Sequence, residues 1–284
     1  MESTDRVGWA VPPPIPWPAG ATSALCLTFD LDAETMWTSR DPENVKRPSV
    51  VSHGRFDVEM GLSIVLDFLD RNGISSTFFV PSLVAATHPD AVREILRRGH
   101  EVAHHGYDHS NWTGLSPEAE RDAIKSAAEQ LASVTGAAPV GYRAPLYGVN
   151  PSTWQTLEEL GFTYSANLMD RIRPYIHQET RALVEIPVQW LLDDGVYFLV
   201  SYAPPNYRQP KLSSEVSEMW CAEVRANAAF GAVTTMTLHP QLIGRPARIG
   251  ILQDMVDAAN EVGGVWFPRM DELARHVRET AAGA

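Results

Sequence analysis

Strand-like and helix-like runs alternate about seven times along the chain, which calls for a mostly parallel sheet with helices on its outside. The first strand is expected over Ser23–Phe29, an apolar run with little charge, as suits a strand covered on both faces. Residues 33–56, rich in Pro, Ser, Arg and Asp, read as a long loop. Helical periodicity over Val58–Leu69 then stops at Gly73. The alternation continues with strand Ser75–Val80 and helix Ala91–Arg98, strand Glu101–His104 and helix Ser116–Val134, and strand Val140–Ala144 and helix Pro151–Leu160. Strands follow at Phe162–Ala166, Leu183–Val188 and Val196–Ser201, then helix Ser214–Phe230. The chain closes with strand Ala232–Leu238, helix Ile249–Glu261, strand Val265–Phe267 and helix Met270–Thr280. An open doubly wound sheet would give a similar string. A barrel fits better, because polar residues recur at strand C-terminal ends (Asp30 and Asp32, His104 and His105, Arg143, Asn167, His239), and in a barrel these ends meet at one mouth.

The expected division is an irregular arm, 1–22, and a single catalytic barrel, 23–284. Prolines 12–14, 16 and 18 keep the arm out of helix and central strand. Trp9 and Trp17 on it would pack on the chain's own barrel wall or on a neighbouring subunit. A net charge of −12 speaks against nucleic acid or an anionic membrane as partner. No run of ~18 apolar residues is long enough to span a membrane, and the first twenty residues lack the apolar core of a secretory signal. The expected location is therefore cytoplasmic. Cys26 and Cys221 make no disulfide framework.

Asp30 and Asp32 stand two apart on a strand, so both carboxylates face one way. Side by side they repel unless a cation sits with one of them. Asp32 on a metal would leave Asp30 as a base. His105 and His109 have the i, i+4 spacing that lets two imidazoles on one helical turn reach one ion. Asp32, His105 and His109 then form a three-ligand site that suits Zn²⁺, with Co²⁺, Ni²⁺, Mn²⁺ and Fe²⁺ as alternatives. Arg143 can hold Asp30 ionised, and His239 can protonate a leaving amine as general acid. Asp193 or Asp194 can hold His239 charged, or form an exposed acidic turn. Trp37, Tyr147 and Trp190 offer an apolar substrate wall or ordinary core. Each motif alone also has a bland reading: a solvated Asp pair, two surface histidines, a surface salt bridge. His53, His88, His100, His104 and His177 are expected to be structural or surface residues.

Together the motifs Thr28-Phe-Asp-Leu-Asp32, His105-Gly-Tyr-Asp-His109, Gly141-Tyr-Arg-Ala-Pro145, Trp190 with Asp193-Asp194, and Thr237-Leu-His239 resemble those of the polysaccharide deacetylase family (carbohydrate esterase family 4) in kind and order. The resemblance is nearest to a cytoplasmic subgroup with peptidoglycan deacetylase-like, allantoinase-like and cyclic imide hydrolase members. It implies an α/β fold, a distorted (β/α)7 barrel. It also implies Asp30 as base, Asp32, His105 and His109 as metal ligands, Arg143 as orienter of the base and His239 as acid. One departure stands out: Leu31 separates the two aspartates, which are adjacent in most of the family. The implied activity is hydrolysis of a non-peptide carbon–nitrogen bond in a small amide or N-acetylated carbohydrate. Its alternatives are ring opening of a small cyclic imide or ureide, possible without metal, and a non-catalytic sugar-binding barrel. The subgroup also implies a homo-oligomer, of which a tetramer is one form.

Overall fold

The computed structural model describes residues 16–202, 205–206 and 209–283. The start of the arm, with Trp9, lies outside the described residues. In chain order the strands are β1 (Ser23–Asp30), β2 (Thr77–Val80), β3 (Glu101–His104), β4 (Gly141–Tyr142), β5 (Tyr164–Ser165), β6 (Tyr175–Ile176) and β7 (Val184–Glu185). They continue with β8 (Ser201–Tyr202), β9 (Pro205–Asn206), β10 (Val233–Leu238) and β11 (Val265–Trp266). Seven of them run parallel in the order β10-β1-β2-β3-β4-β5-β7. Beyond β7 the chain reaches back to β10 through a single parallel bridge, Asp193 to Thr237, with the Asp194 N–H donating to the Thr237 carbonyl at 3.1 Å. The sheet thus curls into a distorted (β/α)7 barrel whose last seam is one residue wide. Strand β6 runs antiparallel beside β7, β11 lies beside the start of β1, and β8 and β9 form a separate hairpin.

All eight residues of β1 are buried, as suits a run without charge up to its last residue, Asp30. Helices form the outer layer. Leu62–Asn72 turns Leu62, Val65, Leu66 and Leu69 inward at helical spacing and ends at Gly73, with φ +62°. Pro117–Thr135 begins where the Ser116 hydroxyl accepts the Ala119 N–H at 3.2 Å, and it ends at Gly136. The described end of the arm docks on this chain's own barrel. The Trp17 indole donates to the Gly231 carbonyl at 3.3 Å, just ahead of β10 and so at the face opposite the mouth.

Two expectations need correction. Residues 33–56 are mostly helical, with Thr35–Thr38, a 3₁₀ turn Pro42–Lys46 and helix Pro48–Phe56, which continues through a π turn, Asp57–Gly61, into Leu62–Asn72. The prolines that suggested a loop sit in first helical turns, where no N–H is missed, and Asp41 caps the 3₁₀ turn by accepting from Glu43 N–H at 3.0 Å. The expected strand Val196–Ser201 is a helical turn, Gly195–Phe198, followed by β8. The Asp193 carboxylate accepts the Gly195 N–H at 2.8 Å and starts that turn, overriding the β-branched and aromatic run behind it.

Candidate active site

The strand ends meet where the sequence places the polar residues. Asp32 leaves β1 at its C-terminal end, and Ala33 then turns the chain with φ +47°. His105 follows β3 directly, and its Nδ1 donates to the Arg143 carbonyl at 2.8 Å. That bond leaves Nε2 as a bare lone pair pointing into the site. His109 does not arrive on a helical turn, as its spacing suggested. Gly106 (φ +73°) and His109 (φ +65°) take left-handed backbone, and an irregular loop folds the second imidazole back beside the first. His105 Nε2 is 3.5 Å from Asp32 Oδ1, and His109 Nε2 is 3.4 Å from Asp32 Oδ2. The three side chains have ligand atoms within 4.8 Å of one another.

This donor set fits a metal ion. Both Asp32 oxygens and His105 Nε2 are buried with no hydrogen-bond partner, a costly state that a shared cation relieves. Burial pushes the Asp32 carboxyl above its ordinary range, and neighbouring Asp30 adds to the effect against the pull of His105 and His239. The His109 imidazole is pushed down to about 3, first by burial and then by Arg40, so it is neutral as a ligand must be.

Asp30 and Arg143 form the second part of the site. Arg143 Nη1 donates to Asp30 Oδ1 at 2.6 Å, and its guanidinium lies 4.1 Å from the centre of the Phe79 ring. Burial raises the Asp30 carboxyl, but Arg143, His105 and His239 outweigh it and leave the group below its usual value. Its free oxygen, Oδ2, is 3.6 Å from His105 Nε2. The intervening Leu31 therefore keeps both carboxylates at one site. The Arg143 segment is fixed by Asn167, which accepts the Ala144 N–H at 2.8 Å.

The third part is His239, whose Nδ1 meets Asp194 Oδ1 at 2.6 Å. Burial opposes its protonation, but Asp194, by charge and hydrogen bond, and then Asp193 raise it well above its ordinary value. Asp193, Asp194 and His239 also have ligand atoms in mutual reach, yet both Asp194 oxygens are engaged by His239 itself. Asp193 instead accepts from the Tyr147 hydroxyl at 3.1 Å.

These residues open into a cavity of about 520 Å³, walled by Met36, Leu146, Tyr147, Trp190, Val196 and Leu199. Tyr147 meets Trp190 edge-on at 4.9 Å, so two of the three expected aromatics line it. The third, Trp37, is core: it is 1 % exposed and donates to Gln241 Oε1 at 2.9 Å. His104, next to His105 but on the other side of the strand, points into an aromatic nest of Tyr142, Phe162 and Trp112. His100 and His177 are buried too, and His88 pairs with Glu34.

Sequence reasoning missed Arg40, which lines the cavity, and Asp57, which ties its two sides together. Asp57 accepts the Ala33 N–H and the Gln241 N–H, both at 2.7 Å, and so fixes the turns just past Asp32 and His239. Gly54 and Gly61 flank it on the same helix face. A Cβ on Gly54 would come within 2.6 Å of the Ala33 carbonyl oxygen, and one on Gly61 within 2.7 Å of the Pro240 carbonyl carbon. The stripe Gly54, Asp57, Gly61 at helical spacing was the available signal.

A curled parallel barrel with a carboxylate–imidazole cluster, an Arg-held carboxylate and an Asp-held histidine defines a hydrolase of the metal-assisted barrel class. The polysaccharide deacetylase family model matches residues 58–165. A Mycobacterium smegmatis protein of solved structure, provisionally named a polysaccharide deacetylase, is 36% identical, with 95% of both chains covered and a TM-score of 0.91. A peptidoglycan deacetylase of Helicobacter pylori is 27% identical, covering 86% of this chain and 92% of that one. The structure of Puue allantoinase, 24% identical with 94% of both chains covered and a TM-score of 0.80, shares the fold. The chain belongs to the polysaccharide deacetylase family, and it is a hydrolase of carbon–nitrogen bonds other than peptide bonds.

Proposed function

We propose that this protein hydrolyses a small non-peptide amide, with Asp32, His105 and His109 holding one divalent cation, Asp30 as base and His239 as acid. The observation that carries the reading is the convergence of three partnerless ligand atoms beside an Arg-held carboxylate and an Asp-held imidazole in one cavity. A bound cation would supply Lewis acidity to the reacting carbonyl and lower the proton affinity of water. Two imidazoles and a carboxylate suit Zn²⁺ first, with Co²⁺, Ni²⁺, Mn²⁺ and Fe²⁺ to be separated by metal analysis.

Asp30 stays ionised because Arg143 sits on one of its oxygens, leaving the other to take a proton from the attacking water. His239 is held protonated by Asp194 and gives its proton to the departing nitrogen. Burial of both pairs in an apolar-walled cavity strengthens these interactions over their worth in water.

The cavity volume falls in the range of small-molecule sites, which favours a soluble amide, an N-acetylated sugar or a small cyclic imide or ureide over a polymer. A retained full set of ionised groups speaks against a non-catalytic sugar-binding role. As part of the same proposal the protein acts in the cytoplasm. Among the described residues no helix is long and apolar enough to cross a membrane. Homo-oligomer formation draws no support from the described end of the arm, because Trp17 docks on its own chain. The test is metal-loaded protein assayed on a panel of N-acetyl sugars, anilides, cyclic imides and ureides. Turnover of one class, lost in Asp30→Asn, supports the reading. Absence of turnover with metal bound overturns it.

A further inference from the structure

Arg40 lies in the wall of the active-site cavity with His109, Asp30 and Met36. It is partly buried, and among the described residues no hydrogen bond or ion pair engages its guanidinium. The carboxylates that flank it along the chain are committed elsewhere. Glu34 pairs with His88 at 2.9 Å, and Asp41 pairs with Arg47 at 2.7 Å. Across the cavity Asp30 is held by Arg143, Asp194 by His239, and Asp193 by the Tyr147 hydroxyl and the Gly195 N–H. Among the described residues only Asp32 attracts Arg40, and it does so without forming an ion pair.

A cation partly removed from water without a counter-ion is a net cost to the fold. The cost rises when the site is loaded. A divalent ion on Asp32 reverses the sign of the one group that attracts Arg40. The Asp30–Arg143 and Asp194–His239 pairs each sum to zero, and the Asp193 carboxylate offsets only one of the positive charges that remain, so the loaded cavity still holds surplus positive charge. A guanidinium offers a planar fork of donors that matches a carboxylate in shape. Such a group inside a substrate cavity, rather than on the outer surface, acts on what enters the cavity.

We propose that Arg40 is a specificity-determining residue and that the substrate carries a carboxylate, which docks on its guanidinium while the scissile amide lies over Asp30. The assignment rests on the hydrolase reading for the position of the amide, but not for the carboxylate site. The substrate class is then a small amide that bears an acid group at one end and an apolar body against Trp190 and Tyr147.

The test is a binding measurement. Calorimetry compares 4-acetamidobenzoate with its neutral parent acetanilide on the zinc-loaded protein and on its Arg40→Gln and Arg40→Lys variants, each first shown by circular dichroism to be folded. The expected result is a preference of roughly tenfold or more for the acid in the native protein, kept in part by Arg40→Lys and lost in Arg40→Gln. Equal affinity for the two probes, or no binding of either, overturns the proposal. A preference that survives Arg40→Gln also overturns it, because the carboxylate is then held by the metal. If the preference behaves as expected but no amide is hydrolysed, the hydrolase reading fails and the Arg40 assignment stands.

Discussion

Asp194 grips His239 with both carboxylate oxygens: Oδ1 meets the ring Nδ1 at 2.6 Å, and Oδ2 accepts the backbone N–H at 3.0 Å. One contact sets the protonation of the ring, and the other sets where the ring stands. Asp194→Asn keeps the shape but gives up the charge. It should cut kcat by about 10²–10⁴-fold with little change in KM. If the two residues act as one unit, Asp194→Asn combined with His239→Asn should be no slower than His239→Asn alone. A product of the two single losses in steady-state kinetics would separate their roles.

The two aspartates of the first strand should fail in different ways. Asp32→Asn should release metal, read as a fall from one bound ion per chain by elemental analysis, with activity lost alongside. Asp30→Asn should retain the ion and lose roughly 10²–10⁴-fold in kcat, because only the proton acceptor is gone. Chelation should abolish activity in the native protein, and adding back Zn²⁺ should restore it. Metal retained in Asp32→Asn would break the ligand assignment.

Gly61→Ala tests the contact between the long helix and the turn after β10. The added Cβ would stand 2.7 Å from the Pro240 carbonyl carbon, so backbone must move. Overpacking of this kind costs about 1–3 kcal/mol. A lower melting temperature should come with a lower kcat, since Pro240 follows His239 directly. Gly73→Ala, where a Cβ meets nothing, is the strain control at a left-handed residue remote from the site.

His100 gives the fold a pH dependence of its own. It is buried against Phe78, accepts the Ser76 N–H at 3.1 Å, and is pushed down to about 4, chiefly by burial. The unfolded chain takes up that proton near pH 6.5. Below that value the unfolded state binds more protons than the folded one, so stability falls as pH drops from about 6.5 towards 4. In His100→Gln, which cannot titrate, the melting temperature should fall less steeply across that window. Equal slopes in wild type and variant would remove His100 as the source.

Much of the site could be read from the sequence because strand period and strand order act together. Asp30 and Asp32 share a face by the period of two, and parallel strands bring Arg143, His105 and His239 to the same end. What could not be read depends on local bonds between distant residues. The left-handed turns at Gly106 and His109 replace the helical turn that the spacing suggested. The Asp193 carboxylate converts an apparent strand at 196–201 into a helical turn. Asp57 falls between the expected loop and the expected helix with nothing to single it out, and its partners Ala33 and Gln241 are far from it along the chain. Prolines 42 and 48 carried opposite meanings, chain break or helix start, and only the neighbouring caps decide between them.

The single bridge between Asp193 and Thr237 divides the mouth into unequal halves. On one side β1 is zipped to β10 over six residues and to β2 over three, so the metal-ligand half stands on the best-anchored wall. On the other, the seam beside the proton-donating histidine rests on the three hydrogen bonds of Asp194, its N–H to the Thr237 carbonyl and its carboxylate to the His239 ring and N–H, with no strand ladder behind them. Breathing of this barrel should concentrate there, and hydrogen exchange at the Asp194 amide should run ahead of exchange in β1.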